Sequence, residues 1–292
     1  MPNPNPFLFR PNWQFLLGPD IGIPELQLGL LVAQFLNGLR SHLSSPDGKA
    51  LLDFFFDILK INLYPCPRIL RANLLPLKYF PSDDLKIEPP VALVEVQGYQ
   101  YLALKEVADL AGIKRDWDLA KRLLDRADNL KREFDKKFWM PDIKYYCLAL
   151  NGKKEQKKSI TSNPGHLLFT GIIGLTKIDF VVKRLFEDDL WTPYGIRTHS
   201  TKEPDFDPKS YHLGSVWPHD NWIIAQGLKK LRRKNEYQKI KNAILLAYQK
   251  IGYLPEFYGV VDGKITLEMK KTPCHPQAWS SGALFKFLSE QM

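Results

Sequence analysis

The sequence predicts an all-α fold in which helix pairs are arranged as a toroid, with small β-hairpin excursions. Two observations carry this. Apolar residues recur at helical spacing through most of the chain, and prolines, glycines and the steps Asn151-Gly152 and Asp262-Gly263 cut the helical stretches into pairs. In the later pairs the first segment is apolar but studded with polar and aromatic residues, whereas the second has one apolar stripe and a charged face. That pattern is expected when first helices are buried all round and second helices form a solvated outer layer. The loops leading into the inner helices then surround a cup, where functional residues are expected.

The elements follow in order. Residues 1–22, rich in proline and asparagine, read as an irregular arm. Ile23 to Leu43 places Leu26, Leu28, Leu31, Val32, Phe35, Leu36 and Leu39 at helical spacing. A second helix is predicted from Lys49 to about Asn62, ended by Pro65 and Pro67. Arg71 to Pro90 carries four prolines and reads as loop. A long helix follows from Pro90 to about Ala111, with proline in its first turn and Gly112 at its end. Its partner runs from about Trp117 to Phe138, with Leu119, Leu123, Leu124, Ala127 and Leu130 on one face and Asp116 as N-cap. Ile143 to Leu150 alternates loosely and meets Asn151-Gly152, a hairpin signal. Further helices are predicted at His166 to Gly174, Lys177 to Glu187, Val216 to about Arg233, Glu236 to Ile251 and Pro276 to Ser289. Asp188 to Ser215 reads as irregular, and Gly252 to Pro273 as loop with a hairpin signal at Asp262-Gly263.

Composition excludes several classes. The 292 residues are 45% hydrophobic and 25% charged, which argues against a disordered chain. No run of eighteen uncharged apolar residues occurs, so no membrane partner is expected. Cys66, Cys147 and Cys274 lie far apart without a CxxC pair, which argues against a disulfide framework or zinc site and for a reducing compartment. The first residues lack a basic segment followed by an apolar run, so a cytoplasmic chain is expected. The net charge of +9 is spread over scattered lysine and arginine runs without a nucleic-acid motif, and no nucleic-acid partner is expected. The sequence also lacks GxSxG, GxxxxGK[ST] and GxGxxG, the spacings HxxxH and HxH, and a calcium loop. No metal or cofactor is therefore expected.

Polar and aromatic residues cluster at five places: Val94 to Tyr99, Thr161 to His166, Tyr211 to Asn221, Leu254 to Tyr258 and Cys274 to Trp279. Pro218 places His219, Asp220 and Asn221 in a first helical turn, where free N–H groups and the positive dipole end point outward. They could hold a polyol with Trp217 beneath its ring, or Asp220 and Asn221 could simply cap the helix; the spacing supports both equally. Glu256, between Pro255 and Phe257, reads as a solvated loop acid or as a catalytic carboxylate tuned by aromatic surroundings. Glu95, four residues before Tyr99, reads as a buried binding group or an arginine partner. His166 and His275 each open a helix and fit hydrogen-bonded structural roles.

At these segments the chain resembles the amylo-alpha-1,6-glucosidase, or glycogen-debranching-enzyme-like, glycoside hydrolases. The matching stretches are Ala92 to Tyr99, Phe138 to Met140, Ser162 to His166, Tyr194 to Thr198, Gly214 to Asn221, Leu254 to Phe257 and Pro276 to Trp279, in family order across residues 87–290. The resemblance implies an (α/α)6 toroid and hydrolysis of an alpha-glucosidic bond in an alpha-glucan or small glucoside by an inverting pair of carboxylates. It makes Glu256 the general base. It places Trp217, His219, Asp220, Asn221, Gln277 and Trp279 around the sugar cup, Tyr194 and Arg197 on a loop beside it, and Glu95 and Gln97 on an inner helix facing it.

One segment departs from the family. Where the resemblance calls for a tryptophan and the general-acid aspartate, Arg71 to Phe80 contains no carboxylate. Asp83, Asp84 and Glu95 are the nearby alternatives. The expected organisation is an atypical N-terminal segment at 1–85 and an incomplete toroid at 86–292, which a partner chain could complete. Two functions stay open at this point: an active hydrolase, or a non-catalytic carbohydrate-binding remnant lacking the acid.

Overall fold

The computed structural model describes Ile87 and residues 90–290. The arm at 1–22, the helices predicted at 23–43 and 49–62, the greater part of the loop predicted from Arg71, and Asp83 and Asp84 lie outside the described residues.

Seven helices are described: α1 (Val94–Ile113), α2 (Trp117–Phe138), α3 (His166–Thr170), α4 (Ile178–Leu185), α5 (Pro218–Lys230), α6 (Lys234–Ile251) and α7 (Ala278–Ser289). Helix α2 has the predicted bounds, and the Asp116 carboxylate caps it by accepting from the Leu119 N–H at 3.0 Å. Helix α1 starts four residues later than expected. Ala92–Leu93 forms β1, which pairs antiparallel with β4 (Ala149–Leu150), and β4 pairs in turn with β5 (Gln156–Lys157). The backbone of residues 92 and 93 is thereby committed to a sheet whose other strands come from the Asn151-Gly152 hairpin. Helix α3 is also shorter than expected. It stops at Gly171, whose φ of +77° is the left-handed conformation that ends helices. Ile172 and Ile173 follow outside any helix but are buried in the core.

The remaining strands are two-stranded ribbons at the helix ends: β2 (Trp139–Met140) with β3 (Tyr145–Tyr146), β6 (Trp191–Thr192) with β7 (Gly195–Ile196), and β8 (Gly259–Val261) with β9 (Lys264–Thr266). The last turns at Asp262-Gly263, as its sequence predicts.

Helix α1 packs on α2 and α3, α3 on α5, and α5 on α6 and α7. Helices α1, α3, α5 and α7 therefore form a continuous inner arc, with α2, α4 and α6 as its outer layer. The described residues form a mostly α, incomplete toroid with small hairpins, as the sequence predicts. The main core lies between the layers, where Phe134 stacks on Phe138 at 4.8 Å and on Tyr146 at 5.1 Å, and where Leu167, Leu185, Ile224, Tyr237, Ile244 and Phe287 are buried.

The irregular stretch after α4 is fixed by a buried ion pair. Arg184 donates to both oxygens of Asp189 at 2.8 and 2.7 Å, and the Ser200 hydroxyl donates to the same carboxylate. Helix α5 crosses α3 so closely that a Cβ on Gly227 would lie 2.5 Å from the Phe169 nitrogen and 2.6 Å from the Leu168 carbonyl carbon. These are backbone atoms and cannot swing aside. Gly227→Ala is expected to destabilise the fold by about 1–3 kcal/mol, read as a lower urea midpoint at unchanged slope. A midpoint equal to the parent would mean that the two helices can separate freely.

Candidate active site

Backbone pairing brings the site together. The Val216 N–H donates to the Tyr258 carbonyl at 2.8 Å, and the Tyr258 N–H returns to Val216 at 3.0 Å. This bridge lays the 254–258 loop along the entry to α5, so Glu256 comes beside Trp217. The Glu256 carboxylate has two donors. The Tyr211 hydroxyl reaches Oε1 at 2.8 Å, and the Cys274 N–H reaches Oε2 at 3.3 Å. The Glu256 N–H donates back to the Cys274 carbonyl at 3.0 Å, so two separate loops hold this residue.

An aromatic wall surrounds it. Trp217 stacks with Phe257 at 5.1 Å and 18°, and with His212 at 5.1 Å and 13°. Tyr211 meets Trp217 and Phe257 edge-on at 4.8 and 4.9 Å. The Trp217 indole N–H donates to the Tyr211 carbonyl and the Ser215 hydroxyl, both at 3.0 Å, which fixes the ring plane. Burial pushes the His212 imidazole down to about 4, so it is neutral at neutral pH.

A second cluster joins α1, α3 and the first turn of α5. Asp220 pairs with His166 Nε2 through one oxygen, while its other oxygen accepts from the Ser162 hydroxyl at 2.8 Å. His166 Nδ1 meets the Tyr99 hydroxyl. The Asn163 amide donates to Glu95 Oε1 at 2.9 Å, whereas the buried Glu95 Oε2 has no hydrogen-bond partner. Burial raises the Glu95 carboxyl above its ordinary value, and the positive charge of His166 only partly offsets this. For His166, burial favours the neutral form, but Asp220 and Glu95 outweigh it and raise the pKa. Burial likewise opposes ionisation of Asp220, yet the His166 charge and the His166 and Ser162 hydrogen bonds hold it below its ordinary value.

The other residues singled out by sequence divide by role. The His219 ring lies 6.0 Å from Trp222 and 5.1 Å from the partly exposed Trp279, and burial and the His166 charge push it down to about 4. Gln277 immediately precedes α7 and is half-buried. Tyr194 is half-buried, and its carbonyl accepts the Tyr258 hydroxyl at 2.8 Å. Arg197 lies over the Phe206 ring and donates to the Val260 carbonyl at 3.3 Å, with its Nε unpartnered; burial lowers its pKa. The Gln97 amide donates to the Leu93 carbonyl at 3.3 Å, inside the start of α1. Asn221 departs from expectation. Its side chain is fully buried, accepts from the Ile196 N–H at 2.8 Å and donates to the Ile196 and Trp217 carbonyls, both at 3.0 Å. It neither caps the helix nor opens to the cup; it ties β7 to α5.

Sequence reasoning passed over Tyr211, Ser162 and Asn163 as site residues and read His166 as structural. All four lie in the segments it singled out, but their roles depend on partners distant in sequence. Among the described residues one trio could hold a metal ion, His199, Glu203 and Asp205, within 4.8 Å of one another. His199 hydrogen-bonds Asp205 at 2.8 Å, and Glu203 accepts from the Ile160 N–H at 2.8 Å, which accounts for the grouping. No described helix is long and apolar enough to cross a membrane.

An arc of helix pairs whose loops converge on carboxylates and an aromatic wall defines the six-hairpin class of glycoside hydrolases. Within that class the chain belongs to the mannosylglycerate hydrolase MGH1-like glycoside hydrolase domain family, whose model matches residues 79–280. The sequence segments pointed instead to the amylo-alpha-1,6-glucosidases; the shared ground is the glycoside hydrolase class. Among solved structures, GH63 mannosylglycerate hydrolase from Thermus thermophilus in complex with Tris is 18% identical with a TM-score of 0.56, over 68% of this chain and 46% of that one. The same enzyme in complex with glucose is 19% identical with a TM-score of 0.56, over 73% and 52%. A sialidase is 15% identical with a TM-score of 0.58, over 68% and 19%. At these identities the likeness is one of fold. The chain spans about half the length of the mannosylglycerate hydrolase structures. Comparison with curated proteins returned no match.

Proposed function

We propose that this chain supplies the general-base side of a glycoside hydrolase cup, and that Glu256 is the base for inverting hydrolysis of an alpha-glucosidic bond in an alpha-glucan or small glucoside. The observation that carries this is the Glu256 carboxylate, held by Tyr211 and the Cys274 N–H beside the Trp217–Phe257 stack. Two donors hold the carboxylate in place, and aromatic faces suit the apolar face of a sugar ring. Glu256 takes a proton from water as that water attacks the anomeric carbon, while an acid on the opposite face protonates the leaving oxygen. Inversion requires the two carboxyl groups to stand roughly 6.5–9.5 Å apart. In this reading Glu95 is the acid, because burial keeps its proton on to higher pH. The solved relatives include complexes with glucose and with D-glycerate, so a small glycoside of a sugar acid belongs among the substrates to try.

The test is sugar release by the full chain from a p-nitrophenyl alpha-glucoside, linear and branched alpha-glucans, and mannosylglycerate. Release from the activated glucoside is expected. Silence on every substrate, with no change in tryptophan fluorescence on adding glucose, would overturn the proposal. A second reading, a sugar-binding remnant, is favoured by the absence of a carboxylate in Arg71 to Phe80. It expects the fluorescence change without turnover. Glu95→Gln separates the roles: glucan hydrolysis should fall at least about 10²-fold, while the activated glucoside, whose leaving group needs little protonation, should lose far less. Equal losses on both substrates would remove Glu95 as the acid.

A further inference from the structure

We infer that His199, Glu203 and Asp205 form a binding site for one divalent transition-metal cation of the zinc class, which clips together two loops that lead to the cup. The ligand atoms of the three side chains lie within 4.8 Å of one another. Their spacing, His-x3-Glu-x-Asp, falls outside the HxxxH and HxH patterns that the sequence lacks. Hydrogen bonds hold the trio in place without an ion. His199 Nε2 meets Asp205 Oδ1 at 2.8 Å, and Glu203 Oε1 accepts from the Ile160 N–H at 2.8 Å. Two turns shape the loop between them, with the Glu203 N–H on the Ser200 carbonyl and the Phe206 N–H on the Glu203 carbonyl, both at 3.1 Å. The three side chains therefore face one another before any ion arrives, which lowers the ordering cost of binding.

A fourth polar group points the same way. Thr161 and His199 form an antiparallel bridge, in which the Ser162 N–H donates to the Thr198 carbonyl at 3.2 Å and the Ser200 N–H to the Ile160 carbonyl at 2.9 Å. That pattern makes Thr161 and His199 a non-hydrogen-bonded pair, whose side chains share one face and approach closely. The Thr161 hydroxyl is buried there and has no hydrogen-bond partner. A buried polar group in that state is costly, and a ligand beside the imidazole relieves the cost. One imidazole and two carboxylates suit zinc, whereas magnesium and calcium take oxygen ligands alone. With His199 neutral the trio carries two negative charges, which a divalent ion balances. On binding, the proton shared between His199 Nε2 and Asp205 passes to Nδ1, so that Nε2 turns its lone pair to the ion. Ligands on a tetrahedral zinc stand about 3.4 Å apart, so the carboxylates close by about 1.4 Å at most. The Asp205 side chain, 44% exposed, has room for that movement and opens the site to solvent. Glu203 is tied to Ile160, at the head of the segment carrying Ser162, Asn163 and His166, while the loop of His199 and Asp205 runs on to Tyr211. An ion here fixes both loops at one point.

The experiment strips the full chain with EDTA and titrates it with zinc chloride, counting bound zinc per chain and following the thermal midpoint. Asp205→Asn and His199→Asn are treated in parallel. Asp205→Asn changes only the charge of an exposed side chain, so it keeps the test sound even where the buried His199 does not tolerate replacement. The expected result is one equivalent of zinc in the parent that binds at least about 10-fold more weakly in Asp205→Asn, the least that disturbing a metal site costs. Zinc should also raise the parent midpoint, and EDTA should restore it. Equal stoichiometry and affinity in parent and Asp205→Asn would put the metal elsewhere and overturn the inference. So would a parent that binds no zinc, or one from which an equal concentration of magnesium displaces it. None of these readouts involves hydrolysis, so they stand apart from the role of Glu256.

Discussion

Replacing Glu256 with glutamine is expected to lower hydrolysis of an activated alpha-glucoside by about 10²- to 10⁴-fold, the usual range for removing a general base. The side chain keeps its shape; its amide oxygen can accept from the Cys274 N–H while its amide nitrogen donates to the Tyr211 hydroxyl oxygen, so the fold should scarcely register the change. The residue is half-buried at a loop, and its stability effect should stay within about 0.5 kcal/mol. The measurement is kcat with the thermal midpoint taken on the same preparation. Unimpaired turnover would remove Glu256 as the base; lost turnover with a lowered midpoint would mean that it serves the structure instead. Sugar binding by tryptophan fluorescence should persist in the variant, because the Trp217–Phe257 stack does not involve the carboxylate.

Asp220→Asn is expected to have the largest effect on stability, about 3–5 kcal/mol, because it breaks a buried ion pair and leaves His166 without its counter-charge. The effect should depend on pH in a definite direction. Asp220 titrates below its ordinary value of 3.8, so its contribution is present above that value and is lost as pH falls through the lowered one. His166 titrates above its ordinary 6.5, so its contribution is full below 6.5 and is lost as pH rises through the raised value. Glu95, raised above 4.5, favours the fold when protonated and gives that contribution up as pH rises through its own value. The parent should therefore lose stability on the alkaline side. The gap between parent and variant should be wide at pH 5.5 and should narrow toward pH 9 as His166 loses its charge above its raised value. Urea midpoints at the two pH values decide it; a gap that does not change with pH would mean that the pair is held by hydrogen bonding without charge.

Features fixed by neighbouring residues were legible in the sequence. The bounds of α2 follow from its apolar stripe and the Asp116 cap, and the hairpins follow from Asn151-Gly152 and Asp262-Gly263. The inner and outer layers were legible because burial all round and burial on one stripe leave different patterns. The start of α1 was not, because it is set by a strand pairing with residues more than fifty positions away. Nor was the end of α3: Ile172 and Ile173 carry the apolar character of a helix, but Gly171 turns the chain before they can continue it. The same distance limit applied to the site. Glu256 stood out by its sequence neighbours, whereas the Tyr99–His166–Asp220 hydrogen-bonded chain spans separations of 67 and 54 residues. Asn221 misled for that reason too, since its true partner, Ile196, lies twenty-five positions away.

The inner helices touch in chain order, α1 to α3 to α5 to α7, so the described residues are in effect a short row of repeats. In such a row cooperativity passes between neighbours, and a unit in the middle is held from both sides while one at an edge is held from one. Local opening should therefore be graded along the chain rather than uniform. Amide protons of α5, clamped against α3 at Gly227 and packed on α6 and α7, should exchange with solvent most slowly among the described helices, and those of α7, at the end of the row, faster.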